Sequence, residues 1–114
     1  MQNIRIQGPR TAAFLLSVGN AGISMDTITL AAGAALLPGQ LLAQNSKTKQ
    51  YDKYDPASAD YKKAVAVLYA PQPERLQPES VAAVTRLAEV HGGQLLGLDD
   101  AARASLAGQF IIVR

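Results

Sequence analysis

The chain has no cysteine and no tryptophan, a single histidine, and only four tyrosines and two phenylalanines among its 114 residues. Without cysteine there are no disulfides, no thiolate metal sites and no cysteine nucleophile. With so few aromatics the core has to be aliphatic, built from Leu, Val, Ile and Ala. Charge of one sign is also scarce: the net charge is +2, well short of the dense basic surface that nucleic-acid binding uses. The lysines at 47, 49, 53, 62 and 63 are interleaved with Asp52, Asp55 and Asp60, which reads as a solvated loop. No stretch reaches the ~18 apolar residues of a membrane span. The apolar run at residues 12–16, behind Arg5 and Arg10, is too short for a secretory leader. Neither membrane insertion nor secretion is expected.

What is present is a chain with 48% hydrophobic residues, which fits one small domain able to bury roughly 65% of its unfolded surface. Residues 1–10 read as an arm in which only Ile4 and Ile6 can pack. Residues 11–18, Thr-Ala-Ala-Phe-Leu-Leu-Ser-Val, are apolar on both faces of a strand. Such a strand needs partners on both sides, either within the domain's own core or on another protein. Residues 24–30 alternate, with Asp26, Ile28 and Leu30 on one face. Pro38-Gly39 suits the centre of a type II turn, and a strand follows from Leu41 to about Gln44. Residues 50–54 resume a short strand that Asp55-Pro56 ends. Residues 64–70 form the clearest buried strand in the chain.

The second half is less uniform. Pro71, Pro73 and Pro78 make a loop. Residues 81–90 fit a helical stripe (Val81, Val84, Leu87, Ala88) and a strand face (Val84, Arg86, Ala88, Val90) equally well. Asp99 or Asp100 is placed to cap a short helix over residues 101–107, with Leu98, Ala102 and Leu106 inward and Gly108 as the stop. Residues 110–113, Phe-Ile-Ile-Val, form a last strand expected to lie inside the sheet.

A catalytic constellation is missing from this pattern. His91, before Gly92-Gly93, reads as a surface turn residue, and no serine sits in a nucleophile elbow. The carboxylate pairs Asp52/Asp55 and Asp99/Asp100 have structural explanations at a strand end and a helix cap. No phosphate-binding glycine loop and no metal-ligand cluster is present. Tyr51, Tyr54, Tyr61 and Tyr69 with Lys62 and Lys63 raise a single-strand stacking platform as a minor alternative. No enzyme activity, cofactor or metal is expected.

Taken in order, Ser24-Met25-Asp26-Thr27-Ile28-Thr29-Leu30, Gly33, Leu37-Pro38-Gly39-Gln40-Leu41-Leu42, Tyr54-Asp55-Pro56-Ala57, Ala64-Val65-Ala66-Val67-Leu68-Tyr69, Arg86-Leu87-Ala88-Glu89-Val90 and Gly108-Gln109-Phe110-Ile111-Ile112-Val113-Arg114 resemble the lambda-like bacteriophage head decoration proteins. The likeness runs from about Phe14 to Arg114. Met25 stands where the family usually has Arg, and Tyr61 follows the loop Asp60 where it usually has Gly.

The resemblance implies a mixed α/β, mostly β, sandwich- or barrel-like single domain with one short C-terminal helix and an extended N-terminal arm. It implies a cement protein of the virion, assembled in the host cytoplasm. Homotrimers would sit on the outer surface of the expanded head and stabilise it against internal DNA pressure. The partners implied are the major capsid protein and further copies of the chain, without nucleic-acid or membrane contact. By position, residues 1–18 take the part of the capsid-binding arm and 19–114 that of the globular domain. The arm would act through Ile4, Ile6, Thr11, Ala12, Phe14, Leu15, Leu16 and Val18. The competing reading is a small β-rich adaptor domain of a non-viral complex.

Overall fold

A computed structural model describes residues 15–18 and 24–114. Ile4, Ile6, Thr11, Ala12 and Phe14 lie outside the described residues. Eight strands are described: β1 (Leu15–Val18), β2 (Met25–Leu30), β3 (Leu41–Gln44), β4 (Tyr51–Lys53), β5 (Ala64–Leu68), β6 (Glu79–Val84), β7 (Ala88–Val90) and β8 (Ile111–Val113). A 3-10 turn, Gly92–Gln94, and one helix, α1 (Asp100–Gly108), lie between β7 and β8. The domain is therefore mostly β, as its alternating and β-branched runs require.

Five strands close into a barrel in the order β2-β4-β3-β5-β6. Antiparallel β2 and β6 run together from Met25 opposite Val84 to Leu30 opposite Glu79. Closure leaves this part of the molecule without a free strand edge. Ile28, Leu30, Leu42, Ala66, Leu68, Val81 and Ala83 fill one aliphatic cluster, with Leu36. A second cluster joins the barrel to the remaining elements through Leu41, Ala43, Val67, Val84, Val90, Leu106 and Ile111. Strands β3 and β5 serve both. In β5, Leu42 faces Ala66 while Ala43 faces Ala64, so Val65 is bulged out of the ladder. The bulge turns both Ala64 and Val67 to the second cluster and leaves Ala66 and Leu68 in the first. A strand with buried residues on both faces loses its polar alternation, which is why residues 64–68 read as a continuous apolar run. Each fully buried Leu or Val contributes on the order of 1.5–3 kcal/mol.

The Pro38-Gly39 turn forms as the sequence predicts. Gly39 has φ 90°, and the Gln40 amide donates to the Leu37 carbonyl at 3.2 Å, closing a type II turn. Another tie was not foreseen. Arg75 is buried at 6% exposure with no carboxylate bonded to it among the described residues. Its Nε donates to the Ala31 carbonyl at 2.9 Å and its Nη1 to the Pro73 carbonyl at 3.0 Å. It straps residues 31–33 to the proline-rich loop, where Gly33 and Arg75 also exchange backbone hydrogen bonds.

Outside the barrel, β1, β7 and β8 form a three-stranded sheet in that order. Residues 81–90 resolve into neither one helix nor one strand. β6 ends at Val84 in the barrel, and β7 begins at Ala88 in the other sheet. Between them the chain turns through Leu87, with φ 53°. Ser24 holds this crossover: its carbonyl accepts from the Thr85 amide and its hydroxyl donates to the Leu87 carbonyl, both at 2.9 Å. Strand β8 lies at the edge of its sheet, not inside it; Ile111 is buried, but Ile112 is exposed. Helix α1 packs on β5 and β8 with Ala102 and Leu106 inward. It runs through Gly108, and the left-handed residue that ends it is Phe110, with φ 59°.

Candidate docking face

The three-stranded sheet has one filled face and one open face. Ala88 and Val90 of β7 and Ile111 of β8 turn into the second core cluster, and Leu15 of β1 packs against it. The open face carries Leu16, 52% exposed, and Ile112, 42% exposed. Glu89 stands opposite Ile112 in the parallel register and opposite Ser17 on the other side. An ion pair at 2.6 Å links Glu89 to Arg114.

Strand β1 places three of the sequence-predicted binding residues. Leu15, Leu16 and Val18 belong to it, and it pairs antiparallel with β7, with a bulge at Leu16. The strand thus lies within the domain's own sheet, on the arm side of the boundary drawn at residue 18. Among the described residues β7 is its only strand neighbour, and no described strand pairs with its other edge. The two readings of the apolar segment each hold part of the observation: Leu15 packs on the domain's core, and Leu16 faces outward.

The other edge, on β8, is partly covered. Arg103 of α1 donates from Nη1 to the Val113 carbonyl at 3.2 Å. At the heads of β7 and β8 stand Leu87 and Phe110, both exposed and both with positive φ. Sequence reasoning missed this pair because left-handed backbone at bulky residues carries no local signal.

The residues weighed for chemistry have structural duties. Asp99 caps α1, its Oδ1 accepting from the Ala102 amide at 2.7 Å, and it also accepts from the Tyr54 hydroxyl at 3.0 Å. Asp55 Oδ1 accepts from the Ala57 amide and Asp52 Oδ1 from the Lys53 amide. These acids border an open cleft of about 710 Å³ with Leu36, Tyr61 and Leu98. Among the described residues no three His, Asp or Glu side chains are grouped to hold a metal. His91 Nδ1 accepts from the Gly93 amide at 3.0 Å and caps the 3-10 turn. The tyrosines do not make one platform: Tyr54 is buried, Tyr61 and Tyr69 pack on its cluster, and Tyr51 packs on the other.

The described residues thus form a closed barrel with a three-stranded sheet at its side, and their carboxylates serve as caps. The family model of the bacteriophage lambda head decoration protein D matches residues 5–111. The chain belongs to that family. A role in decorating the phage capsid, and a place in the virion, follow from membership, and the family is a structural one, generally without enzymes. No curated protein matches the sequence. The match covers β1, β7 and the first residue of β8, Ile111, and stops before Ile112.

Proposed function

We propose that this chain is a cement protein that sits as homotrimers on the outer surface of the expanded phage head and stabilises it against the pressure of packaged DNA. Its partner is the major capsid protein. Contact is made through the arm at residues 1–18, with Ile4, Ile6, Thr11, Ala12, Phe14, Leu15, Leu16 and Val18 as the contacting residues. The observation that carries this reading is the open edge of β1. Its core side is anchored through Leu15, its outer edge is unpaired by any described strand, and the arm joins it directly at Leu15. Strand addition at such a place gains affinity from backbone hydrogen bonds and specificity from alternate side chains. A trimer supplies three arms to one lattice, so modest single contacts add up to tight retention.

The test is co-sedimentation with expanded empty heads. Full-length chain is expected in the pellet with the heads. A chain starting at residue 15, which keeps β1, is expected to remain folded and to stay in the supernatant. Equal binding by both removes Ile4, Ile6, Thr11, Ala12 and Phe14 from the account and leaves the contact to β1.

A further inference from the structure

Residues 31–37 and 71–76 run antiparallel as a ribbon outside the named strands. Gly33 and Arg75 exchange backbone hydrogen bonds at 3.0 and 2.8 Å, and Leu36 and Gln72 do so at 2.9 Å. The ribbon leaves the barrel where β2 ends at Leu30 and β6 begins at Glu79. The crossover to the three-stranded sheet starts from the opposite end of the same strand pair, at Met25 and Val84, about 17 Å along it. Buried Leu36 and the Arg75 strap hold the ribbon to the domain. Four of the chain's six prolines, Pro38, Pro71, Pro73 and Pro78, stiffen it and its borders. Yet Leu37 is 46% exposed and Leu76 95%. Ala34, Ala35, Pro71 and Pro73 are exposed beside them.

Charge is nearly absent here. Residues 31–40 hold no charged side chain, and residues 71–78 hold two, Glu74 and the buried Arg75. Residues 45–63, by contrast, carry eight. We propose, resting on the homotrimer reading above, that this ribbon lies at the axis where copies of the chain meet, with Leu37 and Leu76 of each packing against the ribbon of the next. Charge selects the occupant. Side chains next to the axis of a cyclic oligomer meet their own copies, so an ionic patch there would face its own sign. A partner of different sequence sets no such limit, because it can answer charge with opposite charge. An apolar ribbon whose one exposed charge is Glu74 fits the first case. Stiffness adds to this: the prolines and the Arg75 strap fix the ribbon before contact, so little freedom is lost on association.

The test is sedimentation equilibrium of the full chain, comparing the parent, Leu76→Lys, Leu76→Glu and an equimolar mixture of the two variants. Circular dichroism and co-sedimentation with expanded empty heads are run on the same samples. The parent is expected to be a trimer. Each variant alone should keep the parent's circular dichroism, because a leucine 95% exposed packs on little of its own domain, and should associate roughly tenfold more weakly or worse. The mixture should recover part of that loss, since Lys then meets Glu across the axis. Association of both variants within about twofold of the parent overturns the proposal and moves the contact between copies elsewhere. Loss in both variants without recovery in the mixture overturns the ribbon-to-ribbon contact. A monomeric parent overturns it together with the homotrimer, and binding of that parent to heads would keep the decoration role standing. A trimeric parent that fails to bind heads removes the decoration role, while the variants still decide the ribbon.

Discussion

Leu87 and Phe110 stand side by side at the heads of two parallel strands. Both have left-handed backbone, and the Ala88 amide donates to the Phe110 carbonyl at 3.1 Å across the pair. The chain enters β7 from the barrel through the first residue and enters β8 from α1 through the second. Two changes of direction are thus made by bulky residues where glycine is the usual choice.

Replacing Phe110 with Gly should therefore stabilise the free domain. Relief of the left-handed strain, on the order of 1–2 kcal/mol, outweighs the added freedom of the unfolded chain, roughly 0.5–1 kcal/mol. Urea unfolding should report a gain of up to ~1 kcal/mol. Loss of stability on this substitution would mean that the ring, despite its exposure, contributes packing that the strain figure does not include.

The Tyr54–Asp99 contact ties β4's end to the first turn of α1, with both carboxylate oxygens 3.0 Å from the hydroxyl. Burial raises the Tyr54 phenol above its ordinary value of 10.0, and the hydrogen bond to Asp99 raises it further. The folded state thus favours the neutral phenol. Its contribution is complete below pH 10 and is lost as the pH rises through the folded value. Tyr54→Phe should cost about 1 kcal/mol at neutral pH and flatten the alkaline limb of the stability curve. An unchanged alkaline limb would remove Tyr54 as its source.

Asp26 works at the opposite end of the pH scale. Hydrogen bonds from Arg86 and Thr85 hold its carboxyl below the ordinary 3.8. Its contribution is present above that value and is lost as the pH falls through the lower folded one. The pair is 42% exposed on each side, so Asp26→Asn should cost less than ~1 kcal/mol at pH 7. Acid titration followed by circular dichroism should show parent and variant converging below pH 3.8. A gap that widened toward acid would reverse the assignment.

Arg75 offers a larger effect. Removing its buried strap in Arg75→Ala leaves the Ala31 and Pro73 carbonyls without their donor and opens space beneath Gly33. Hydrogen bonds from a charged group contribute ~1.5–3 kcal/mol each at most, so a loss of about 2–4 kcal/mol in urea unfolding is expected. A loss under 0.5 kcal/mol would show that water replaces the guanidinium.

Much of the barrel was legible because its strands announce themselves by composition. Residues 64–68 are β-branched and bounded by Lys63, residues 24–30 alternate, and Pro38-Gly39 can make few turns other than the one it makes. A cap at Asp99 or Asp100 was readable for the same local reason, and it is Asp99 that caps the helix. What stayed hidden depended on distant partners. Residues 81–90 look like one element because nothing in Thr85-Arg86-Leu87 marks a change of sheet; Ser24, 61 residues from Thr85, enforces it. Gly108 looked like the helix stop, yet the left-handed position fell two residues later because Ile111 is drawn into the core. The three-stranded sheet was half legible. Leu15 and Leu16 could be named from their apolar run, but not Leu87, Phe110 and Ile112, which come together only through the parallel pairing of β7 and β8.

The most direct measurement is an image reconstruction of the phage head with and without this chain. The account predicts added density on the outer surface at three-fold positions, with three copies around each axis and an arm running from β1 onto the major capsid protein. Density on the inner surface or at the tail vertex alone, or no difference between the two particles, would contradict it.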